Sequence, residues 1–215
     1  MVHNLSLNNS IINQFVAELR DVQIQKDRMR FRKNLERIGE IFAYEISKTL
    51  KYEERDVITP LGIATVPMLI DQPIVGTILR AGLPLHYGLL NYFDQADNAF
   101  ISAYRKHHKD GTFDIKLEYV GSPALAEREL ILCDPMLATG SSIVMTYKAL
   151  LDKGIPRHVH IVSALASSQG VEYVKRNLPA NVTIWCAAID EELTAQSYIV
   201  PGLGDAGDLA FGNKI

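Results

Sequence analysis

Cysteine is scarce in this chain, and what little there is excludes several chemistries. Only two occur in 215 residues, Cys133 and Cys186. Both sit inside apolar runs and match no metal-ligand spacing. They read as buried, reduced thiols in a reducing compartment, not as a disulfide or a zinc site. None of the six histidines has the spacing of a helical zinc motif, so a metal site built from histidine is not expected. No apolar run approaches the roughly 20 residues that a membrane span needs. The opening residues Met1 to Ser6 lack the charged and apolar regions of a secretory leader. A cytoplasmic protein with no membrane partner is expected. Charge of one sign is also missing: 22 Lys and Arg stand against 25 Asp and Glu, for a net charge of −3. That argues against nucleic-acid binding as the main work. There are no repeats, no low-complexity tracts and no Pro/Gly/Ser linker, so 1–215 reads as a single domain. A Gly-x-x-x-x-Gly-Lys-Ser/Thr loop is absent too.

The remaining composition, 47% hydrophobic and 22% charged, is that of an ordinary soluble globule. Residues 10–20 and 28–51 have helical periodicity. In the second, Phe31, Leu35, Ile38, Phe42, Ile46 and Leu50 form one apolar stripe opposite Arg32, Lys33, Glu36, Arg37 and Glu40. Together 1–55 read as an N-terminal helical arm. Thr59-Pro60-Leu61-Gly62 is a turn signal. Apolar strands follow at 74–79, 99–104, 131–133, 159–164 and 182–188, with an edge or bulged strand at 64–70, where Pro67 sits. Helical stretches at 84–93, 143–151 and 168–177 alternate with them. This pattern predicts an α/β fold, a mainly parallel sheet with helices on both faces. One segment differs: Phe113, Ile115, Leu117 and Tyr119 alternate with Asp114, Lys116 and Glu118. A period of two predicts a β-hairpin arm, over 105–122.

The most specific string is Leu130-Ile131-Leu132-Cys133-Asp134-Pro135-Met136-Leu137-Ala138-Thr139-Gly140-Ser141-Ser142. It reads as strand, small-residue loop, helix. A new helix presents unpaired N–H groups and a partial positive charge, which suit phosphate. Thr139, Ser141 and Ser142 add hydroxyl donors, and Gly140 lets the backbone approach a ligand. Asp134, at a strand's carboxyl end, suits sugar hydroxyls or a metal. A ligand with both phosphate and sugar fits one loop.

Two more strand ends carry charge: Arg80-Ala81-Gly82 after 74–79, and Arg105 after 99–104. Ligands of open α/β sheets bind beyond these ends, and arginine grips phosphate oxygens bidentately. Arg80 and Arg105 therefore make a candidate diphosphate clamp. The cluster Arg105-Lys106-His107-His108-Lys109 reads as a basic loop over an anionic substrate. The C-terminal string Tyr198-Ile199-Val200-Pro201-Gly202-Leu203-Gly204-Asp205-Ala206-Gly207-Asp208 contains Gly-x-Gly-x-x-Gly, yet no βαβ unit follows it. A tight loop that reads a small heterocycle through backbone groups is the better reading.

These strings resemble the uracil phosphoribosyltransferase family, of the type I phosphoribosyltransferase superfamily. The resemblance includes Ile78 to Leu83, Tyr104-Arg105, the single acid followed by Pro in the 134–142 loop, and the C-terminal string. In the helical arm it includes Leu35-Glu36-Arg37-Ile38-Gly39. It implies a magnesium-dependent pyrimidine salvage enzyme that converts uracil and phosphoribosyl diphosphate (PRPP) to UMP and diphosphate. It assigns PRPP to Arg80, Arg105, Asp134 to Ser142 and Asp205. It assigns uracil to Tyr198, Ile199, Gly204, Asp205 and Ala206 in a base-binding loop over 198–212. Catalytic roles fall to Asp205, Arg105 and Asp134. Mg²⁺ is expected to be held mainly through PRPP and water, with no protein metal cage. GTP as activator and a homodimer or larger assembly are further expectations. One departure is Ser141, where the family more usually has a second glycine; a negative φ there would tolerate serine.

Overall fold

A computed structural model describes residues 1–107 and 113–213; the side chains of 103–116 lie outside that description. The elements run β1 (Val2–Asn4), α1 (Ile11–Arg20), α2 (Arg28–Ser47), β2 (Tyr52–Thr59), β3 (Gly62–Leu69), β4 (Ile74–Leu79), α3 (Leu83–Leu90) and β5 (Asp97–His107). They continue as β6 (Phe113–Gly121), β7 (Glu129–Cys133), β8 (Met136–Leu137), α4 (Ser141–Leu150), β9 (His158–Ser167), α5 (Ser168–Asn177) and β10 (Val182–Asp190). The chain then closes with β11 (Glu192–Leu193), β12 (Ile199–Val200) and α6 (Ala206–Phe211).

The main sheet has the order β1-β10-β9-β7-β4-β5-β6, with β8 pairing β9. Every pairing in it is parallel except β5 with β6. The expected α/β architecture is what the chain adopts. The central strands are mainly apolar on both sides, as helices cover both faces; Thr77, His160 and Ser163 are buried polar exceptions. One face meets α1, α2 and α3 through Phe31, Leu35, Val75, Leu85, Ile131 and Val162. The other meets α4 and α5 through Ile143, Val144, Val171, Val174, Ile161 and Leu132.

Helices α1 and α2, the expected arm, lie along the first face. The stripe Phe31, Leu35, Ile38, Phe42 and Ile46 is at most 1% exposed, and each such side chain contributes about 1.5–3 kcal/mol by leaving water. Asp27 starts α2 by accepting from the amides of Met29 and Arg30 at 3.0 and 3.1 Å. The helix ends at Ser47, and residues 52–55 already belong to β2. At the N-terminus, β1 adds an edge strand to β10, pairing His3 with Trp185.

Two hairpins leave the sheet. The alternating segment expected to form an arm is β6, antiparallel to β5 from Phe100 to His107. Pairing of β5 with β4 stops at Ser102, and among the described residues 103–107 pair only with β6. The second hairpin, β2–β3, turns at the Thr59–Gly62 signal and pairs from Tyr52↔Leu69 to Thr59↔Gly62. Both its faces are open: the neighbours Val57 and Ile58, which point to opposite faces, are 38% and 88% exposed. Pro67 fits because a two-stranded ribbon is all edge.

Candidate active site

The carboxyl ends of β4 and β7 open onto a cavity of about 540 Å³. Its walls are Ile78 to Ala81, Asp134 with Met136, Ala138 and Ser142, and the C-terminal segments Gln196 to Ile199 and Gly204 to Gly207. The segments expected to hold phosphate, diphosphate and base thus border one space. Arg80, Asp134, Met136, Ala138, Ser142, Tyr198, Ile199, Gly204, Asp205 and Ala206 all line it. Leu137 and Pro135 are buried behind the loop, with Leu137 paired to Ala166 in the sheet. The Arg105 side chain and the cluster 106–109 lie outside the described residues. Its backbone sits in β5 opposite Ile115, three positions beyond Ser102, the partner of Leu79.

The loop expected to hold phosphate is built by its neighbours. Gly140 precedes α4 with φ +79°. A Cβ there would also lie 2.9 Å from the Gly170 carbonyl, so glycine is required twice over. Ser141 is the first residue of α4 and is not among the positive-φ residues, so serine fits without strain. Its hydroxyl accepts from Thr139 Oγ1 at 3.1 Å, and its amide donates to the same oxygen at 3.3 Å. Ser167 Oγ, fully buried, donates to the Ala138 carbonyl at 2.6 Å and accepts from the Gly170 amide at 2.8 Å. Asp134 Oδ1 accepts from the Met136 amide at 3.2 Å, and Ser163 Oγ donates to the Asp134 carbonyl at 2.6 Å. Next to it, burial pushes the Cys133 thiol up to about 12, which rules it out as a nucleophile at neutral pH.

Arg80 follows a cis peptide bond with Leu79. Its Nη2 donates to Asp208 Oδ1 at 2.8 Å and to the Gly212 carbonyl at 2.7 Å, while Nε is buried without a partner. The arginine expected to meet diphosphate is therefore tied to α6, the last element of the segment expected to bind the base. Asp205 caps α6 by accepting from the Asp208 amide at 3.0 Å. The turn before it is held from outside: Asp190 and Arg20 pair at 2.7 Å and both bond to Gly202. Ser167, Gly170, Asp190, Arg20 and Asp208 were not singled out in the sequence. Asp190 carried a signal, since it is an acid ending a buried strand, as Asp134 is. The others owe their roles to contacts between segments distant in the chain.

Among the described residues no three His, Cys, Asp or Glu side chains converge as a metal cage. No helix among them is long and apolar enough to cross a membrane.

A mainly parallel sheet with a small-residue loop and a helix start at the carboxyl end of a central strand is the arrangement of phosphoribosyltransferases. A hypoxanthine phosphoribosyltransferase from Staphylococcus aureus shares the fold at TM-score 0.50 and 14% identity, over 86% of this chain and 83% of that one. A solved protein from Aquifex aeolicus superposes at TM-score 0.86 with 30% identity, over 99% of this chain and 98% of its own. The chain belongs to the uracil phosphoribosyltransferase family, whose model matches residues 6–213. A protein named uracil phosphoribosyltransferase from Porphyromonas gingivalis is 56% identical over 100% of this chain and 99% of its own.

Proposed function

We propose that the protein transfers the phosphoribosyl group of PRPP to N1 of uracil, releasing diphosphate and forming UMP for pyrimidine salvage. The observation that carries this reading is that Arg80, four residues of the 134–142 loop (Asp134, Met136, Ala138 and Ser142), and Tyr198, Ile199 and Gly204 to Gly207 border one cavity. Ribose C1 exchanges its bond to a diphosphate oxygen for one to N1, and the N1 proton departs. The amides and hydroxyls of Thr139 to Ser142 take the 5′-phosphate. Asp134 orients the ribose hydroxyls. Arg80 and Arg105 neutralise the leaving diphosphate. Arg80 meets it with its unpartnered Nε, or by exchanging Asp208 and Gly212 for phosphate oxygens. Ile199 and Gly204 to Ala206 hold uracil beside Tyr198, a positioning contribution. Asp205 takes the N1 proton or positions the ribosyl donor; the pH–rate profile of Asp205→Asn separates the two.

Among the described residues, the carboxylates lining the cavity are Asp134 and Asp205, which suit an ion held mostly by substrate oxygens and water, as Mg²⁺ prefers. When bound, Mg²⁺ supplies further charge neutralisation at the diphosphate. Two free, buried thiols agree with a cytoplasmic setting. The open faces of β2–β3, with Ile58, Leu61 and Ile63 exposed, support a homodimer or larger assembly. GTP is proposed as its activator on the strength of family membership, and rates with and without GTP test this.

The test of function is UMP formation from PRPP and Mg²⁺, with uracil, cytosine, hypoxanthine, adenine and orotate in parallel. Turnover with uracil alone is expected. PRPP binding without turnover on any of these bases would overturn the reading.

A further inference from the structure

Asp190 ends β10 with 8% exposure and does not line the cavity. The chemistry above makes no use of it. Burying a carboxylate is costly unless it is paired, and its partner is Arg20, the last residue of α1. Arg20 Nη1 and Nη2 each donate to one Asp190 oxygen at 2.7 Å, a fork-to-fork pair. The pair then closes on a single residue of the C-terminal turn. The Gly202 amide donates to Asp190 Oδ2 at 3.0 Å, and Arg20 Nη1 donates to the Gly202 carbonyl at 3.0 Å. Both polar groups of that residue are fixed by one ion pair.

Gly202 is where the turn folds back. Its φ is +57°, and a Cβ there would collide with the Ile199 carbonyl. Ile199 lines the cavity on one side of this turn, and Gly204 to Ala206 line it on the other. The ion pair thus sets the distance between the two halves of the base-binding wall from behind. Among the described residues, its side-chain hydrogen bonds reach Gly202 and no residue of 134–142.

We propose that Asp190 and Arg20 are positioning residues for base recognition: they hold the 199–206 turn in its binding shape before uracil arrives. A preformed loop binds without first being ordered, so the pair contributes to affinity for the base and not to affinity for PRPP. The inference rests on the reading of 198–206 as the base-binding segment.

The experiment uses the full-length enzyme and the variants Asp190→Asn, Arg20→Gln, Arg20→Lys and Gly204→Ala. It reads KM for uracil, kcat, thermal stability and direct PRPP binding. Asp190→Asn and Arg20→Gln are expected to raise the uracil KM on the order of tenfold, as loss of a charge-assisted hydrogen bond implies. PRPP affinity should stay within about twofold, because the pair's bonds end at Gly202. Arg20→Lys keeps the charge and should recover part of the loss. An unchanged uracil KM, or uracil and PRPP constants that rise together, would overturn the proposal. Should Asp190→Asn fail to fold, the Arg20→Lys result decides by the same criteria. Gly204→Ala perturbs the turn itself, at φ +97° with no atom nearer than 3.9 Å to the added methyl. If it raises the uracil KM and Asp190→Asn does not, only the positioning role falls. If it leaves the uracil KM unchanged, the base-binding reading falls and the proposal with it.

Discussion

At the residue scale, the site depends on groups whose replacement by near relatives is not neutral. Arg80 donates to Asp208 and Gly212 through one nitrogen and keeps Nε buried and unpartnered. Lysine is a point charge and cannot reproduce this fork. Arg80→Lys is predicted to raise the KM for PRPP about tenfold or more, corresponding to charged hydrogen bonds of about 1.5–3 kcal/mol. An unchanged PRPP KM would remove Arg80 from the diphosphate clamp. Ser141 shows the opposite case. It departs from the family's usual glycine, yet it begins a helix outside the positive-φ residues. The glycine that the loop cannot lose is its neighbour Gly140, where φ and the Gly170 carbonyl both exclude a side chain.

At the element scale, the 134–142 loop is held to α5 by a buried hydroxyl. Ser167→Ala leaves the Ala138 carbonyl and the Gly170 amide without their buried partner, at a cost of about 1–3 kcal/mol. That corresponds to a fall in Tm of roughly 2–12 °C for a chain of this length. Calorimetry measures the stability, and the PRPP KM should rise with it because Ala138 lines the cavity. Most elements that bear on the site were legible in the sequence. The strands β4 and β7 are mostly apolar runs, broken by Thr77 and opened by Glu129, and a charged residue follows each directly. The stripe of α2 repeats from Phe31 to Ile46, over about four turns. Other elements gave no periodic signal. The three residues of β1 are too few for a period to show. Strand β2 contains Glu53, Glu54, Arg55 and Asp56 in succession, a pattern that no half-buried strand has. It forms because a free ribbon buries neither face and needs only its partner strand. The support for the base turn was hidden for another reason: Arg20 and Asp190 are 170 residues apart and meet only when α1 packs beside β10.

At the scale of the whole molecule, titration follows from burial and pairing. Glu18 is held down to about 2 by Arg30, then by Asn34 and Gln14. Its contribution to stability is fully present above its ordinary value near 4.5 and is lost as pH falls through about 2. His86 is fully buried between α3 and β5, with Asn98 nearby but no hydrogen bond at either ring nitrogen. Burial lowers its pKa, and burial also lowers those of His158 and His3. For these groups the unfolded chain binds the proton more tightly. Stability therefore falls as pH drops through the ordinary value of 6.5 towards the lowered values. The Tm is predicted to be lower at about pH 5.5 than at about pH 7.5, and His86→Leu should shrink that difference. A Tm independent of pH across this range would contradict the assignment of these histidines as neutral in the fold.

The central claim is that two loops far apart in the chain, 134–142 and 198–207, form one site for the two halves of one product. The measurement that tests it most directly is a crystal structure with UMP bound. The account predicts the phosphate on the amides and hydroxyls of Thr139 to Ser142, the ribose at Asp134, and the uracil edge against Ile199 and Gly204 to Ala206. A phosphate seated elsewhere, or a base that does not touch the C-terminal turn, would contradict it.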